Sequence, residues 1–433
     1  MASPTFKRLP GFRDFPPEDM EVRTTICEAW RRVSRRYGFC EYDGPPLEGL
    51  DLYVEKSGEE IVGQLYNFLD KGGRSVTLRP EMTPSLARIL GERSRAMSKP
   101  IRWFSVPQLF RYERQQRGRL REHFQWNVDI VGEEGVLADA EILAVAIDGL
   151  RELGLGVEDF RARVSDRRLL GALLEALHVP AERLNAAFSV VDKLDRESRD
   201  RSLARLESDV GVSPSVARAT LDLFEDPELD AIEARFGGRD DVAEGVGRLR
   251  EYLGALASMG LGEFVAFDLT IVRGLAYYTG LVFELFDRKR ELRAICGGGR
   301  YDRLLELVGA EPLPAVGFGM GDVVLTELLR DRDLVEPYRR RVDAFIVSIG
   351  DDQTDTALRV AHALREKGRS VVFPLRRQAV RKQFAAAGTE GAREVIVLGP
   401  EEAARGVAMV RDMESGRERE VALDDLLVGN SGS

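Results

Sequence analysis

The chain has 433 residues, 44% hydrophobic and 31% charged, an ordinary composition for two or three globular domains. Its formal net charge of −10 argues against a general nucleic-acid coat, so any RNA contact should be local. No apolar run approaches the ~20 residues that cross a bilayer, and Cys27, Cys40, Cys296 and three histidines make no metal-binding spacing. With no signal-peptide pattern, the expectation is a reducing, cytoplasmic setting, no membrane partner and no structural metal.

Residues 16–37 carry Met20, Ile26, Trp30 and Val33 near helical spacing and predict a helix. Residues 38–48 predict one short strand ended by Pro45-Pro46, since a second proline forbids central pairing. Residues 63–78 predict a hairpin turning at Lys71-Gly72-Gly73, and a helix begins at Pro84. Residues 101–131 contain paired strands, and 139–153 are helical. Residues 166–257 are rich in Leu, Ala, Glu and Arg and predict amphipathic helices, with Ser213-Pro214 as a cap and first-turn proline. Strands resume at 264–268 and 281–286. Gly297-Gly298-Gly299 predicts a turn into a helix over 300–308, followed by a strand over 315–319 and a helix to Leu329. Residues 331–341 form a charged linker. Beyond it, strands and helices alternate, which predicts an α/β domain with a mostly parallel sheet.

The chemistry concentrates between Phe110 and Asp129, where Arg111, Arg114, Arg117, Arg119 and Arg121 crowd a strand–loop–strand pattern. Guanidinium groups match phosphate oxygens in bidentate geometry, so such a loop can close over a polyphosphate, and Phe124 could offer a stacking face to a base. Four other segments accompany it in order: Leu78–Thr83 (LRPEMT), Val272–Gly280 (VRGLAYYTG), Cys296–Asp302 (CGGGRYD) and Pro314–Gly321 (PAVGFGMG). Singly each has a structural explanation; jointly and in this order they are hard to reach by chance.

Together they resemble the class II aminoacyl-tRNA synthetases, and specifically the histidyl-tRNA synthetase family. Gly38–Glu48 resembles the first class motif, Arg111-Tyr112-Glu113 through Phe124 the second, and RGLAYYTGLVFE a signature particular to the histidine enzymes. The resemblance implies an α+β catalytic domain with an antiparallel sheet flanked by helices (1–164 and 258–330). It also implies a helical insertion (165–257), a linker (331–341) and a C-terminal α/β anticodon-binding domain (342–428). It implies adenylation of L-histidine by ATP with Mg²⁺, transfer to tRNA(His), and a homodimer. Carried over residue by residue, Arg111 would contact the α-phosphate and the substrate carboxylate, and Arg273 would stabilise the transition state. Glu113 would receive the adenine amino group, Phe124 would stack on adenine, and Arg119 and Arg121 would reach the distal phosphates. Glu81, Thr83 and Gln125 would hold the α-ammonium, Asp129 and Tyr278 the imidazole, and Tyr277 would line the pocket. Arg376, Arg377, Arg381 and Lys382 would meet anticodon RNA.

The chain departs from the family pattern twice. Asp322-Val323-Val324 follows the glycines of the third motif, where the family has a Glu-Arg pair, and Asp129 stands where glutamate is usual. The alternative reading is a non-catalytic relative that senses histidine as a regulatory subunit of histidine biosynthesis. Such relatives typically lack the anticodon domain and lose catalytic residues. Retention of Arg273, the loop arginines and a full C-terminal domain favours the enzyme.

Overall fold

The computed structural model describes residues 6–57, 59–112, 116, 118–225, 227–273 and 278–427. Helix α1 (Pro17–Arg36) opens with a proline at its first position and places Glu18 and Asp19 in its first turn, Arg35 and Arg36 in its last, as the helix dipole favours. Its inner face buries Ile26, Trp30 and Val33. The strand expected over 38–48 is two strands in different sheets, β1 (Cys40–Glu41) and β2 (Leu47–Gly49), parted by the Asp43–Pro46 turn. After α2 (Asp51–Ser57), the hairpin of β3 (Asn67–Leu69) and β4 (Ser75–Leu78) joins β2 in a small antiparallel sheet. Asp70 Oδ1 fixes its turn by accepting from the Gly72 and Arg74 amides at 2.8 and 2.9 Å. Helix α3 (Thr83–Arg93) follows.

The large sheet is built from β1, β5 (Ile101–Ser105), β6 (Gln108–Phe110), β7 (Glu122–Val131), β8 (Phe160–Asp166), β9 (Val265–Phe267), β10 (Leu281–Asp287), β11 (Cys296–Arg300) and β12 (Ala315–Gly321). Its order is β1-β5-β7-β12-β11-β10-β8-β9, with β6 also paired to β7. The central pairings are antiparallel; β1–β5 and β8–β9 are parallel. Gly297–Gly299 therefore form the middle of a buried strand rather than the expected turn, and only a short 3₁₀ turn follows at Leu304–Val308. A glycine run reads locally as a turn, but here neighbouring strands supply the ladder that isolated propensity lacks.

One face of the sheet is covered by α1, α4 (Val136–Arg151) and α11 (Asp322–Asp331). Trp126 of β7 stacks on Trp30 at 5.8 Å, and its indole N–H donates to Ser34 Oγ at 2.9 Å. The helices α5 (Arg167–Ala176), α6 (Leu184–Val191), α7 (Arg199–Arg205), α8 (Pro214–Asp222), α9 (Leu229–Phe236) and α10 (Asp240–Ser258) follow β8. Leu169, Leu173, Val246, Leu249 and Tyr252 share one core with the sheet. Asp166 caps α5 by accepting from the Arg168 amide at 2.7 Å and takes the Arg248 guanidinium at 2.5 Å.

The described chain divides after Glu336, inside the charged stretch. The second unit holds β13 (Val342–Ser348), α12 (Thr354–Glu366), β14 (Val371–Val372), α13 (Val380–Thr389), β15 (Ala392–Leu398), α14 (Pro400–Ala404), β16 (Val407–Asp412), β17 (Glu418–Ala422) and α15 (Leu423–Leu427). Its sheet runs β14-β13-β15-β16-β17. Two pairings are parallel and two antiparallel, so the sheet is mixed rather than mostly parallel.

One buried ion cluster ties three distant segments of the first unit. Arg13 donates from Nε to Glu122 Oε1 at 2.6 Å and from Nη1 to Asp322 Oδ2 at 2.9 Å. The two acid side chains are 1% and 2% exposed. Asp322 Oδ1 also accepts from the Phe124 amide at 2.9 Å. Removing the guanidinium strands two buried carboxylates, so Arg13→Ala should cost ~3 kcal/mol of unfolding free energy in urea titration. A loss below about 1 kcal/mol would show that the acids are satisfied without it.

Candidate active site

Side chains alternate across a strand, and β7 separates core from chemistry by that rule. Trp126, Val128 and Ile130 are buried in the core against the covering helices. His123, Gln125, Asn127 and Asp129 fall on the opposite face, where they line cavities. The neighbouring strand leaves room for them. Gly317 pairs with Asp129 and Gly319 with Asn127. A Cβ on Gly317 would collide with the Asp129 carboxylate and the Tyr301 hydroxyl, and one on Gly319 would stand 2.8 Å from the Gln125 amide. On β11, a Cβ at Gly297 would occupy the place of the Arg273 guanidinium.

A small cavity of about 80 Å³ over this floor is lined by Glu81, Thr83, Arg111, Gln125, Asp129, Arg273 and Tyr278, together with Asn127 and Tyr301. The structure thus brings together the described residues expected to hold histidine, with Arg273 beside them; Tyr277 lies outside the described residues, as does Glu113. The Asp129 carboxylate is buried. Burial pushes its pKa up to about 7, and the Tyr301 hydroxyl, which donates to Oδ1, draws it back. Tyr301 packs edge-on against Tyr278, ring centroids 6.2 Å apart.

Arg273 adopts the left-handed region at φ 55°, unusual for a side chain with a Cβ. Arg167, the first residue of α5, pins this bend by donating to the Val272 and Arg273 carbonyls at 3.0 and 2.9 Å. The Arg273 guanidinium pairs with Glu284 and lies 5.7 Å from the Tyr278 ring centroid.

Two larger cavities, about 1190 and 340 Å³, share Arg111, Gly118, Gln125, Arg273, Arg293 and Val324. Arg119 lines the second. Burial, then the like charges of Arg293 and Arg111, lower its pKa. His123 lines the same cavity, and burial followed by Arg111, Arg13 and Arg119 pushes its imidazole down to about 3, so it is neutral.

Two expected nucleotide contacts stand elsewhere. The Phe124 ring packs against Phe15 at 6.0 Å and under the Arg23 guanidinium at 4.5 Å, and it lines none of the three cavities. Its even position in β7 puts it with Trp126, opposite Gln125 and Asp129, and this corrects the expectation of a stacking face there. His123, which sequence reasoning missed, has the cleft-facing parity; counting by twos back from Gln125 would have found it. Arg121 lies over the Tyr112 ring at 4.3 Å, its amide donating to the Gly11 carbonyl at 2.9 Å, and it too lines none of the three cavities.

Arg79 of the LRPEMT segment is structural: its Nη1 donates to Asp43 Oδ1 and the Gly44 carbonyl, each at 2.6 Å. Among the described residues no group of three or more His, Cys, Asp or Glu could hold a metal ion. In the second unit, Arg376, Arg377, Arg381 and Lys382 are exposed on and before α13. Buried Gln383 ties that helix to Ser348 of β13, accepting from its amide at 3.0 Å and donating to its carbonyl at 2.9 Å.

The profile of the histidyl-tRNA synthetase family matches residues 11–322, and that of an anticodon-binding domain matches residues 343–428. The chain is 42% identical to the histidine–tRNA ligase of Opitutus terrae over 96% of both chains. It is 40% identical to the chloroplastic/mitochondrial histidine–tRNA ligase of Arabidopsis thaliana, over 96% of this chain and 85% of that one. The fold matches the crystal structure of histidyl-tRNA synthetase from Nostoc sp. PCC 7120 with a TM-score of 0.83, 24% identity and 98% of each chain covered. It also matches an ATP phosphoribosyltransferase regulatory subunit/histidyl-tRNA synthetase from Bacillus halodurans C, with a TM-score of 0.74 and 24% identity over 92% of this chain and 99% of that one. With a family profile spanning most of its length and near-full-length relatives at this identity, the chain belongs to the histidyl-tRNA synthetase family of class II ligases, and its activity is that of a histidine–tRNA ligase.

Proposed function

We propose that the glycine-floored cleft carries out both half-reactions. The histidine carboxylate attacks the α-phosphorus of ATP, the bond to the β-phosphate breaks, and pyrophosphate leaves. A hydroxyl of the terminal ribose of tRNA(His) then attacks the histidyl carbonyl, and AMP leaves. Neither step needs a protein nucleophile; the demand is to bring two anions together and hold charge developing on phosphoryl oxygens. What supports the reading is the convergence of Glu81, Thr83, Gln125 and Asp129 beside Arg111 and Arg273.

In this assignment Glu81, Thr83 and Gln125 hold the α-ammonium, and Asp129, buttressed by Tyr301, receives an imidazole N–H. Arg111 bridges the carboxylate and the α-phosphate. Arg273 exchanges Glu284 for transition-state charge. The neutral His123 ring takes the adenine-facing role first expected of Phe124. Mg²⁺ is assigned to the nucleotide phosphates, whose oxygens suit a hard divalent cation. Arg376, Arg377, Arg381 and Lys382 take the anticodon, the chain works as a homodimer through the Gly38–Glu48 region, and the setting is the cytoplasm.

Histidine-dependent ATP–pyrophosphate exchange tests the reading; a folded protein that exchanges with no amino acid, or with another in preference to histidine, would refute it. Asp129→Asn replaces the buried carboxylate with a neutral amide that keeps one acceptor oxygen and adds a donor, and the histidine KM should rise by about 100-fold. The same variant should keep or raise Tm at pH 8, because its folded-state pKa lies above the unfolded value and ionisation costs stability as pH rises towards about 7. Histidine binding runs the other way, since the anion is the binding form: KM should increase as pH falls through about 7, and a flat profile would remove Asp129 from the contact. Arg273→Ala should lower kcat by about 100-fold or more and leave histidine affinity within a few-fold; an unchanged kcat contradicts the role.

A further inference from the structure

Five arginines, Arg111, Arg119, Arg196, Arg273 and Arg293, line the 340 Å³ cavity, and no carboxylate does so among its described residues. The first turn of α11 forms part of this wall but brings no cation to it. Asp322 is turned inward to Arg13 and the Phe124 amide, and Val323 and Val324 complete the turn. The cation arrives instead from the loop between β10 and β11. A Cβ built on Gly118 would meet Val324 Cγ2 at 3.2 Å and Arg293 Cδ at 3.8 Å. The valine side chain and the arginine stem therefore converge on one point of the basic loop's tip. Arg293 donates to the neutral Gln116 amide oxygen, and no described carboxylate forms an ion pair with it. Guanidinium groups crowded into one cavity repel each other, and a polyanion relieves that repulsion while satisfying their donors.

We propose that Arg293 binds the terminal phosphates of ATP and the departing pyrophosphate, filling from the β10–β11 loop the place that Val324 leaves uncharged at the start of α11. The proposal rests on the reading of this cleft as the ATP site. It goes beyond that reading in naming a phosphate-binding residue that lies outside every motif of the family resemblance.

The test compares wild type, Arg293→Ala, Arg293→Lys and the double variant Arg293→Ala/Val324→Arg. Charge-assisted hydrogen bonds of this kind correspond to roughly 10- to 100-fold in binding. Arg293→Ala should raise the KM for ATP and for pyrophosphate by about that factor and leave the histidine KM within about twofold. Arg293→Lys should recover part of the loss, and Val324→Arg in the alanine background should recover part from the opposite wall. Arg293 is exposed, so the variants should melt with wild type; circular dichroism checks this. An ATP KM within about twofold of wild type in folded Arg293→Ala overturns the proposal. Calorimetric titration of Mg·ATP without histidine separates the two levels. A wild type that binds ATP but fails to exchange histidine sinks the amino-acid assignment alone, and Arg293→Ala then still reports on the arginine. A wild type that binds no ATP overturns both.

Discussion

The site depends on a surface without side chains. At Gly297, Gly317 and Gly319 the two central strands present bare backbone, and the space a Cβ would take is filled by Arg273, Asp129 and Gln125. Reagent-holding groups reach inward from the rim and lie flat on the sheet, close enough to touch a common ligand. The same closeness buries Asp129, and burial pushes its pKa up to about 7. Binding geometry and electrostatics here follow from one steric fact, the absence of three methyl-sized volumes.

The arginines divide by what faces them. Arg13 and Arg300 are each closed by buried acids; Arg300 donates to Asp139 at 2.5 Å, and burial outweighs that bond to hold Asp139 near 6. Arg199 and Arg205 in the helical block likewise meet Asp222, Glu225, Glu197 and Asp209. In the smaller cleft cavity Arg273 keeps Glu284 as its partner, but Arg119 lies under the like charges of Arg293 and Arg111. That contrast, more than the number of arginines, marks where an external anion belongs. A chain with a net charge of −10 can still present a positive cavity, because five arginines and no carboxylate line it among the described residues.

Much of this was legible in the chain itself. The residues that line the small cavity were legible because they sit in short motifs that carry the family resemblance, and the helical block because its periodicity is local. Three features were hidden. The glycine strand read as a turn because strand pairing is non-local. Phe124 drew the stacking role and His123 went unnoticed because a phenyl ring is obvious and parity is not, although parity decides which face a side chain takes. Arg293 was invisible because it is one basic residue in a charged loop, and only folding places it against Val324.

Strand β7 carries a consequence for how errors in this protein show themselves. Its odd positions line the cleft and its even positions hold Trp126 and Val128 in the core. A one-residue slip in pairing would put Asp129 into the apolar interior and the tryptophan into the cleft. No well-packed but inert isomer is available by that route: the mistake that abolishes chemistry also abolishes packing. Quality control that senses exposed apolar surface therefore also screens, at this strand, for catalytic competence.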